Sequence, residues 1–186
     1  MKEYKLPIGC DVPETIILAD GDFPSHPLAL EWLRQCPYVV CCDGAANTYI
    51  RSGRMPEAIV GDGDSLLPDI KERYASLIHS EAEQETNDLS KAFRFCLSQE
   101  RKRITIMGAT GKREDHTIGN VSLLADYMEQ AEVSMMTDYG IFVPIREDSM
   151  FESYIGQQIS VFNMNSTALS AEGLAYPLSC LLYTSD

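Results

Sequence analysis

At 186 residues the chain is long enough for one well-filled core, or for one domain and a smaller companion. With 45% hydrophobic and 23% charged residues, and no low-complexity tract or internal repeat, it has the composition of a soluble globular protein and not of a solenoid or a disordered tail. The formal net charge of −13 argues against nucleic acid as a partner, and it leaves any anionic substrate in need of a local cation.

The N-terminus, MKEYKLPIGCDVPETIILAD, lacks the apolar core of a signal peptide, and no run of apolar residues is long enough to span a bilayer. From there the chain alternates two kinds of segment. Strands are predicted at 15–19 (TIILA), 38–42 (YVVCC), 57–61 (EAIVG), 76–80 (SLIHS), 103–108 (RITIMG) and 132–136 (EVSMM). Helical patterns lie between them at 27–35, 44–52, 68–75, 87–99 and 114–130. The plainest is 87–99, where Leu89, Ala92, Phe93, Cys96 and Leu97 recur at helical spacing. Short apolar strands alternating with helices predict an α/β fold, an open and mainly parallel sheet with helices on both faces.

After about residue 137 the pattern becomes strand-like, at 141–145 (IFVPI), 150–155 (MFESYI) and 157–164 (QQISVFNM). This predicts one domain over 1–137 and a small all-β domain over 138–186. So few strands would leave edges and core open, and the closing LLYTSD does not read as a finished terminus. The expectation is therefore a truncated chain or one ending in foreign sequence, with an incomplete second domain. The six cysteines (Cys10, Cys36, Cys41, Cys42, Cys96, Cys180) form no CxxC pair, and the four in predicted strands or helices read as buried free thiols, which predicts a cytoplasmic location.

In open parallel sheets, ligands bind beyond the carboxyl ends of the strands, and the polar residues of this chain collect there. One strand runs into Asp43-Gly44-Ala45-Ala46-Asn47 and the next into Asp62-Gly63-Asp64-Ser65. Gln84-Glu85-Thr86-Asn87-Asp88 opens a helix, and strand 103–108 leads into Ala109-Thr110-Gly111-Lys112-Arg113-Glu114-Asp115-His116. In extended backbone Asp62 and Asp64 point the same way, and oxygen ligands on one side suit a hard cation such as Mg²⁺. A helix cap plus a turn aspartate explains the pair equally well in isolation, but Asp43 and Asp88 on the same rim favour metal. A calcium loop is disfavoured because Arg73 stands where its closing glutamate belongs.

Asp88 and Lys91 read either as a metal ligand with a phosphate-binding cation or as an exposed ion pair at i, i+3. The 108–116 loop has no Walker or dinucleotide spacing, yet its helix start and its two cations suit an anion, with a plain solvent loop as the alternative. His116 reads as part of that loop or as a satisfied helix histidine. Several carboxylates with two basic clusters on one rim is what a Mg²⁺–polyphosphate site requires, since the metal reverses the sign of an acidic surface locally.

In order and spacing, DGAAN (43–47), GDGDS (61–65), QETNDLSKA (84–92) and GATGKREDHTIGN (108–120) resemble the motifs of the thiamine pyrophosphokinase family. LADGDFP (18–24) and AEGLAYPL (171–178) resemble its opening and a block of its C-terminal domain. The resemblance implies a nucleotide domain over 1–137 followed by part of a β-sandwich thiamine-binding domain over 138–186, in a homodimer. It implies transfer of the pyrophosphoryl group of ATP to thiamine, giving thiamine diphosphate and AMP. By position, Asp43, Asp62, Asp64 and Asp88 would serve Mg²⁺, with Asp62, Asp64, Asp88, Lys91 and Arg113 carrying catalysis. Asn47, Ser65, Gln84, Asn87, Lys91, Gly111, Lys112, Arg113, Asp115 and His116 would line the ATP, and Tyr176 would form part of a wall for the thiamine ring. Asn87 departs from the family's threonine, while Ala109, Thr110 and Lys112 depart from its glycine-rich loop. Two rival readings are a metal-dependent phosphohydrolase and a regulatory module that binds Mg–nucleotide without reaction.

Overall fold

The computed structural model describes residues 1–7, 11–81, 85–164, 169–176 and 178. The chain divides into two compact units, Met1–Lys2 with Pro7–Ser149, and Glu3–Leu6 with Met150–Asp186.

The first unit is built on strands that are apolar along their whole length. These are β2 (Thr15–Leu18), β3 (Val39–Cys42) and β4 (Ala58–Gly61), buried at every position, and β6 (Arg103–Met107), buried after its first residue. A strand hydrophobic on both faces must be covered on both faces. With β5 (Ile78–Ser80), β7 (Glu132–Met136) and β8 (Ile141–Phe142) they form one seven-stranded sheet in the order β5-β4-β3-β2-β6-β7-β8. Every pairing is parallel except that of β7 with β8. The chain runs outward from β2 through β3, β4 and β5, then returns to the other side of β2 with β6. The connections that leave β2 and β6 therefore lead to opposite sides of the sheet, and such a switch point is where an open sheet of this kind forms a crevice.

Helices α1 (Pro27–Gln35), α2 (Ala45–Arg51) and α3 (Pro68–Arg73) cover one face. Their core includes Trp32, Leu33, Tyr49 and Ile70 against Ile16, Leu18, Cys41 and Ile59. Helices α4 (Asp88–Ser98) and α5 (Glu114–Tyr127) cover the other, placing Phe93, Cys96, Leu124 and Tyr127 against Ile17, Val40, Val60 and Ile106. Phe93 and Tyr127 stack with ring centroids 3.9 Å apart, locking the two helices together. The 68–75 helix is shorter than its sequence pattern, closing at Arg73 and passing into a 3₁₀ turn at Ala75–Leu77. Cys41, Cys42 and Cys96 are buried, free thiols, as their positions predict, and burial pushes all three above the usual thiol range.

In the second unit, the rings of Tyr4 and Phe151 stack 4.7 Å apart, and the Leu6 amide donates to the Glu152 carboxylate. These residues belong to or flank β1 (Lys2–Tyr4) and β9 (Ser149–Phe151), which form a two-stranded sheet. The strand expected at 157–164 is not formed. Strand structure needs a ladder partner, and the described residues offer 157–164 none. Among the described residues no helix is long and apolar enough to cross a membrane.

Candidate active site

The sheet delivers four loops to one rim, and each begins at a strand end. Asp43 follows β3 directly, buried to 2% exposure with a backbone φ of 29°. Aspartate is among the few residues other than glycine that tolerate a positive φ, which suits it to this sharp turn off the strand. Gly61, at the end of β4, makes room for it: a Cβ there would fall 2.8 Å from the Asp43 Cβ. Past Gly61 come Asp62 and Asp64, both exposed. Carboxylate oxygens of Asp43, Asp62 and Asp64 all lie within 4.8 Å of one another.

The turn that carries these acids is built by its own side chains. Asp62 Oδ1 accepts from the Asp64 amide at 3.1 Å, and the Ser65 hydroxyl donates to Asp64 Oδ1 at 2.9 Å. The Ser65 amide donates to Asp43 Oδ2 at 3.0 Å. Asn47, expected beside the nucleotide, clamps this turn from α2: its amide nitrogen donates to the Ser65 carbonyl at 2.8 Å and its oxygen accepts from the Leu67 amide at 3.0 Å. Lys71 of α3 donates to the Gly63 carbonyl at 2.7 Å. Asp62 is thus a turn aspartate whose carboxylate also joins a cluster, while neither aspartate caps the helix that follows, whose N-cap is Leu67.

Three carboxylates this close cannot all carry full charge comfortably. Burial, with the Asp64 and Asp88 carboxylates nearby, pushes Asp43 from 3.8 up to about 6. Asp64 moves the other way, held low chiefly by the hydrogen bond from Ser65 and then by Asp43. Asp43 Oδ1 is buried without a hydrogen-bond partner among the described residues. A buried carboxylate oxygen with no donor, facing two further carboxylates, is chemically suited to a hard divalent cation. The trio fits Mg²⁺ on that ground.

Asp88 lies outside the trio but close to it, its Cγ 3.4 Å from where a Gly61 Cβ would sit. It opens α4 and is paired with Lys91, whose Nζ donates to Asp88 Oδ1 at 3.0 Å and which is only 4% exposed. The solvated i, i+3 pair allowed by the sequence is therefore corrected on the lysine side, because Lys91 is buried at the rim.

Asn87 caps α4 by accepting from the Ser90 amide at 2.9 Å. Its own amide donates to Asn120 Oδ1 at 3.2 Å, and Asn120 donates to the Ala109 carbonyl at 2.8 Å. This relay ties the start of α4 to the 108–116 loop, and the asparagine at 87 supplies the donor that begins it. Within that loop Arg113 forms a two-point pair with Asp115, each exposed, and His116 is also exposed.

Three residues absent from the set named by sequence now belong to the rim. Asp20, just past β2, accepts from Lys112 Nζ at 3.1 Å and lies against Gly44, whose Cβ would fall 2.6 Å from Asp20 Oδ2. Asp22 packs on Gly111, where φ is 95° and a Cβ would fall 2.2 Å from its Oδ2, so glycine is required on both counts. Asn120 is the third. All three sit inside stretches that carry the resemblance, 18–24 and 108–120, which was the available signal. Gln84 lies outside the described residues. Tyr176 belongs to the second unit and is 69% exposed.

Comparison with known proteins gives a consistent result. Residues 29–136 match the family described as thiamin pyrophosphokinase, catalytic domain, and residues 140–184 match thiamin pyrophosphokinase, substrate-binding domain. Thiamine pyrophosphokinase 1 of Oryza sativa subsp. japonica is 30% identical over 129 residues, covering 56% of this chain and 49% of its own length. Thiamine pyrophosphokinase of Bacillus subtilis (strain 168) is 34% identical over 86 residues, covering 44% of this chain and 40% of its own. The chain thus spans about half the length of the curated relatives it matches. Among solved structures, yeast thiamin pyrophosphokinase superposes with a TM-score of 0.58 at 19% identity, covering 73% of this chain and 63% of that one. The protein from Geobacillus thermodenitrificans gives 0.54 at 27% identity, covering 66% and 58%.

Proposed function

Because the chain belongs to the thiamin pyrophosphokinase family, we propose that it binds ATP with Mg²⁺ at this rim and transfers the pyrophosphoryl group to the hydroxyl of thiamine. The observation that carries the proposal is the Asp43–Asp62–Asp64 trio with its partnerless buried oxygen, on the rim that also carries Lys91 and, through its bond to Asp20, Lys112. Residues 1–137 would form the nucleotide half and 138–186 part of the thiamine half, in a cytoplasmic homodimer to which Tyr176 brings an aromatic surface.

Asp43, Asp62 and Asp64 would hold the ion, with Asp88 beside them. When bound, Mg²⁺ supplies neutralising charge to phosphate oxygens. The rest falls to the chain's own residues, since phosphoryl-type transfer needs positioning and charge compensation more than covalent help. The thiamine oxygen forms a bond to the β-phosphorus. The bridging bond to the α-phosphate breaks, with its electron pair leaving on AMP, and the hydroxyl proton passes to a rim carboxylate. Asp64, exposed, or Asp88, half-buried beside Lys91, would take it. Lys91, buried and oriented by Asp88, would meet charge on the transferred group. Lys112, now paired with Asp20, and Arg113, now paired with Asp115, would meet it from the 108–116 loop. Ser65, Gln84, Asn87, Asp115 and His116 complete the proposed surround.

³¹P NMR of the chain with ATP and Mg²⁺ tests this directly. Thiamine-dependent appearance of AMP and thiamine diphosphate is the expected result. Thiamine-independent release of phosphate or pyrophosphate would replace the proposal with a hydrolase, and unreacted but broadened ATP signals would replace it with a binding module. Asp62→Asn isolates charge from architecture, because asparagine keeps the oxygen that accepts from the Asp64 amide. Turnover should fall about 10²-fold, on the scale of losing one preorganised electrostatic contact. Near-normal turnover at saturating Mg²⁺ would remove Asp62 from the metal site.

A further inference from the structure

Lys71, on α3, differs from the other cations of the rim. Lys91 is paired with Asp88, Lys112 with Asp20 and Arg113 with Asp115. Lys71 instead places its Nζ 2.7 Å from the carbonyl of Gly63, the residue between Asp62 and Asp64. We propose that Lys71 is a positioning residue for the metal site, holding the 62–65 turn by its backbone so that Asp62 and Asp64 keep their carboxylates beside Asp43 for a divalent cation. The proposal rests on the metal reading above and adds to it a residue that acts through the turn.

Three observations support it. First, the turn needs a donor at this point. Gly63 is buried with a φ of 76°, so its carbonyl has left the strand ladder, and a buried carbonyl without a partner is costly. Lys71 supplies the donor, and its stem lies along the turn: a Cβ on Gly63 would fall 3.2 Å from Lys71 Nζ and 3.4 Å from its Cε.

Second, the lysine is itself anchored. Its amide donates to the Leu67 carbonyl at 2.8 Å, and the preceding residue, Ile70, is buried in the core. Asn47 holds the Leu67 amide and the Ser65 carbonyl. The turn is therefore gripped on two sides, by Asn47 at 65–67 and by Lys71 at 63.

Third, the load on the turn is electrostatic. Carboxylate oxygens of Asp43, Asp62 and Asp64 lie within 4.8 Å of one another, and like charges that close push apart. Asp43 is fixed by burial at the end of β3, whereas the other two are exposed and ride on the turn. A charge-assisted bond to the turn's backbone resists that spreading and occupies no carboxylate oxygen.

A tether and a mere charge predict opposite signs. The ammonium is near enough to Asp64 to act on it electrostatically, so a lysine serving only as charge would hinder a cation, and its removal would tighten metal binding. A lysine that holds the turn does the reverse. Mn²⁺ binding to the full chain without nucleotide, followed by electron paramagnetic resonance, compares wild type with Lys71→Met and Lys71→Arg. Methionine keeps the stem and loses the donor, while arginine keeps the charge and N–H donors. Lys71 is exposed, so either change leaves the core intact. The expected result is an affinity lowered about tenfold or more in Lys71→Met, on the scale of removing a group that orients a metal ligand, and largely restored in Lys71→Arg. Unchanged or tighter binding by Lys71→Met would overturn the tether, as would a loss of the same size in Lys71→Arg. A wild-type chain that binds no Mn²⁺ would overturn the metal reading itself, and the tether with it.

Discussion

Asp43→Asn should make the metal-free chain more stable while lowering turnover by about 10³-fold, a loss set by removing the one buried charge of the metal trio. Asparagine tolerates the positive φ of this position and can still accept from the Ser65 amide. Its amide nitrogen would face Asp64 as a donor where the native carboxylate faces it as a rival. The aspartate holds its proton up to about 6 in the folded chain, against 3.8 ordinarily. Between those values the folded state binds more protons than the unfolded one, so stability falls as pH rises and the full penalty is present at neutral pH. A rise of that size corresponds to at most about 3 kcal/mol. Melting curves without metal should therefore show the Asp43→Asn variant above wild type by several degrees at pH 7.5, at roughly 2–4 °C per kcal/mol for a chain of this length. The gap should close by pH 4. Added Mg²⁺ should raise wild type and leave the variant where it was. A variant less stable than wild type at pH 7.5 without metal would show that Asp43 is held by structural contacts and not against them.

That a residue should be destabilising where it stands explains why it was legible. Asp43, Asp62 and Asp64 follow apolar strands directly and crowd more carboxylates onto one turn than a turn needs, and such conflict is visible in a single sequence. The strands and helices of the first unit were legible for the complementary reason, that burial on both faces demands uninterrupted apolar runs. What sequence could not supply was partnership. Lys91 reads either as a phosphate-binding cation or as half of an exposed helix pair, since its spacing to Asp88 allows both, and only its burial at the rim removes the second. Asn47 reads as a ligand because it follows a motif, and both ends of its amide hold the 65–67 turn. Asp20 and Asp22 follow β2 no differently from any loop aspartate. Beyond their place in the 18–24 stretch, their contacts appear when β6 is inserted beside β2, a pairing between residues some ninety positions apart. The strand expected at 157–164 fails on the same ground, since alternation identifies a strand's face but never its neighbour.

Asn120 is the case in which partnership carries the largest structural consequence. Its side chain is 8% exposed and joins two loops that converge on the proposed phosphate site. Asn120→Ala leaves the Ala109 carbonyl without its donor and Asn87 without its acceptor, each costing about 1–3 kcal/mol where water cannot substitute. Turnover should fall about 10²-fold, because the loop bearing Lys112 and Arg113 loses its tie to α4, and small displacements of positioning groups are expensive. Asn120→Asp should be more harmful than alanine at neutral pH. The carboxylate still accepts from Asn87 but directs a second acceptor at the Ala109 carbonyl, in a buried setting. Burial and that carbonyl raise the folded-state pKa of the new acid, so the variant's stability should fall as pH rises and recover as pH drops toward 4, where the protonated acid donates again. Melting curves of wild type, Asn120→Ala and Asn120→Asp from pH 4 to 8 give the check. An aspartate variant that tracks alanine at every pH would mean that Asn120 merely fills space, and that the α4 start and the phosphate loop hold their positions independently.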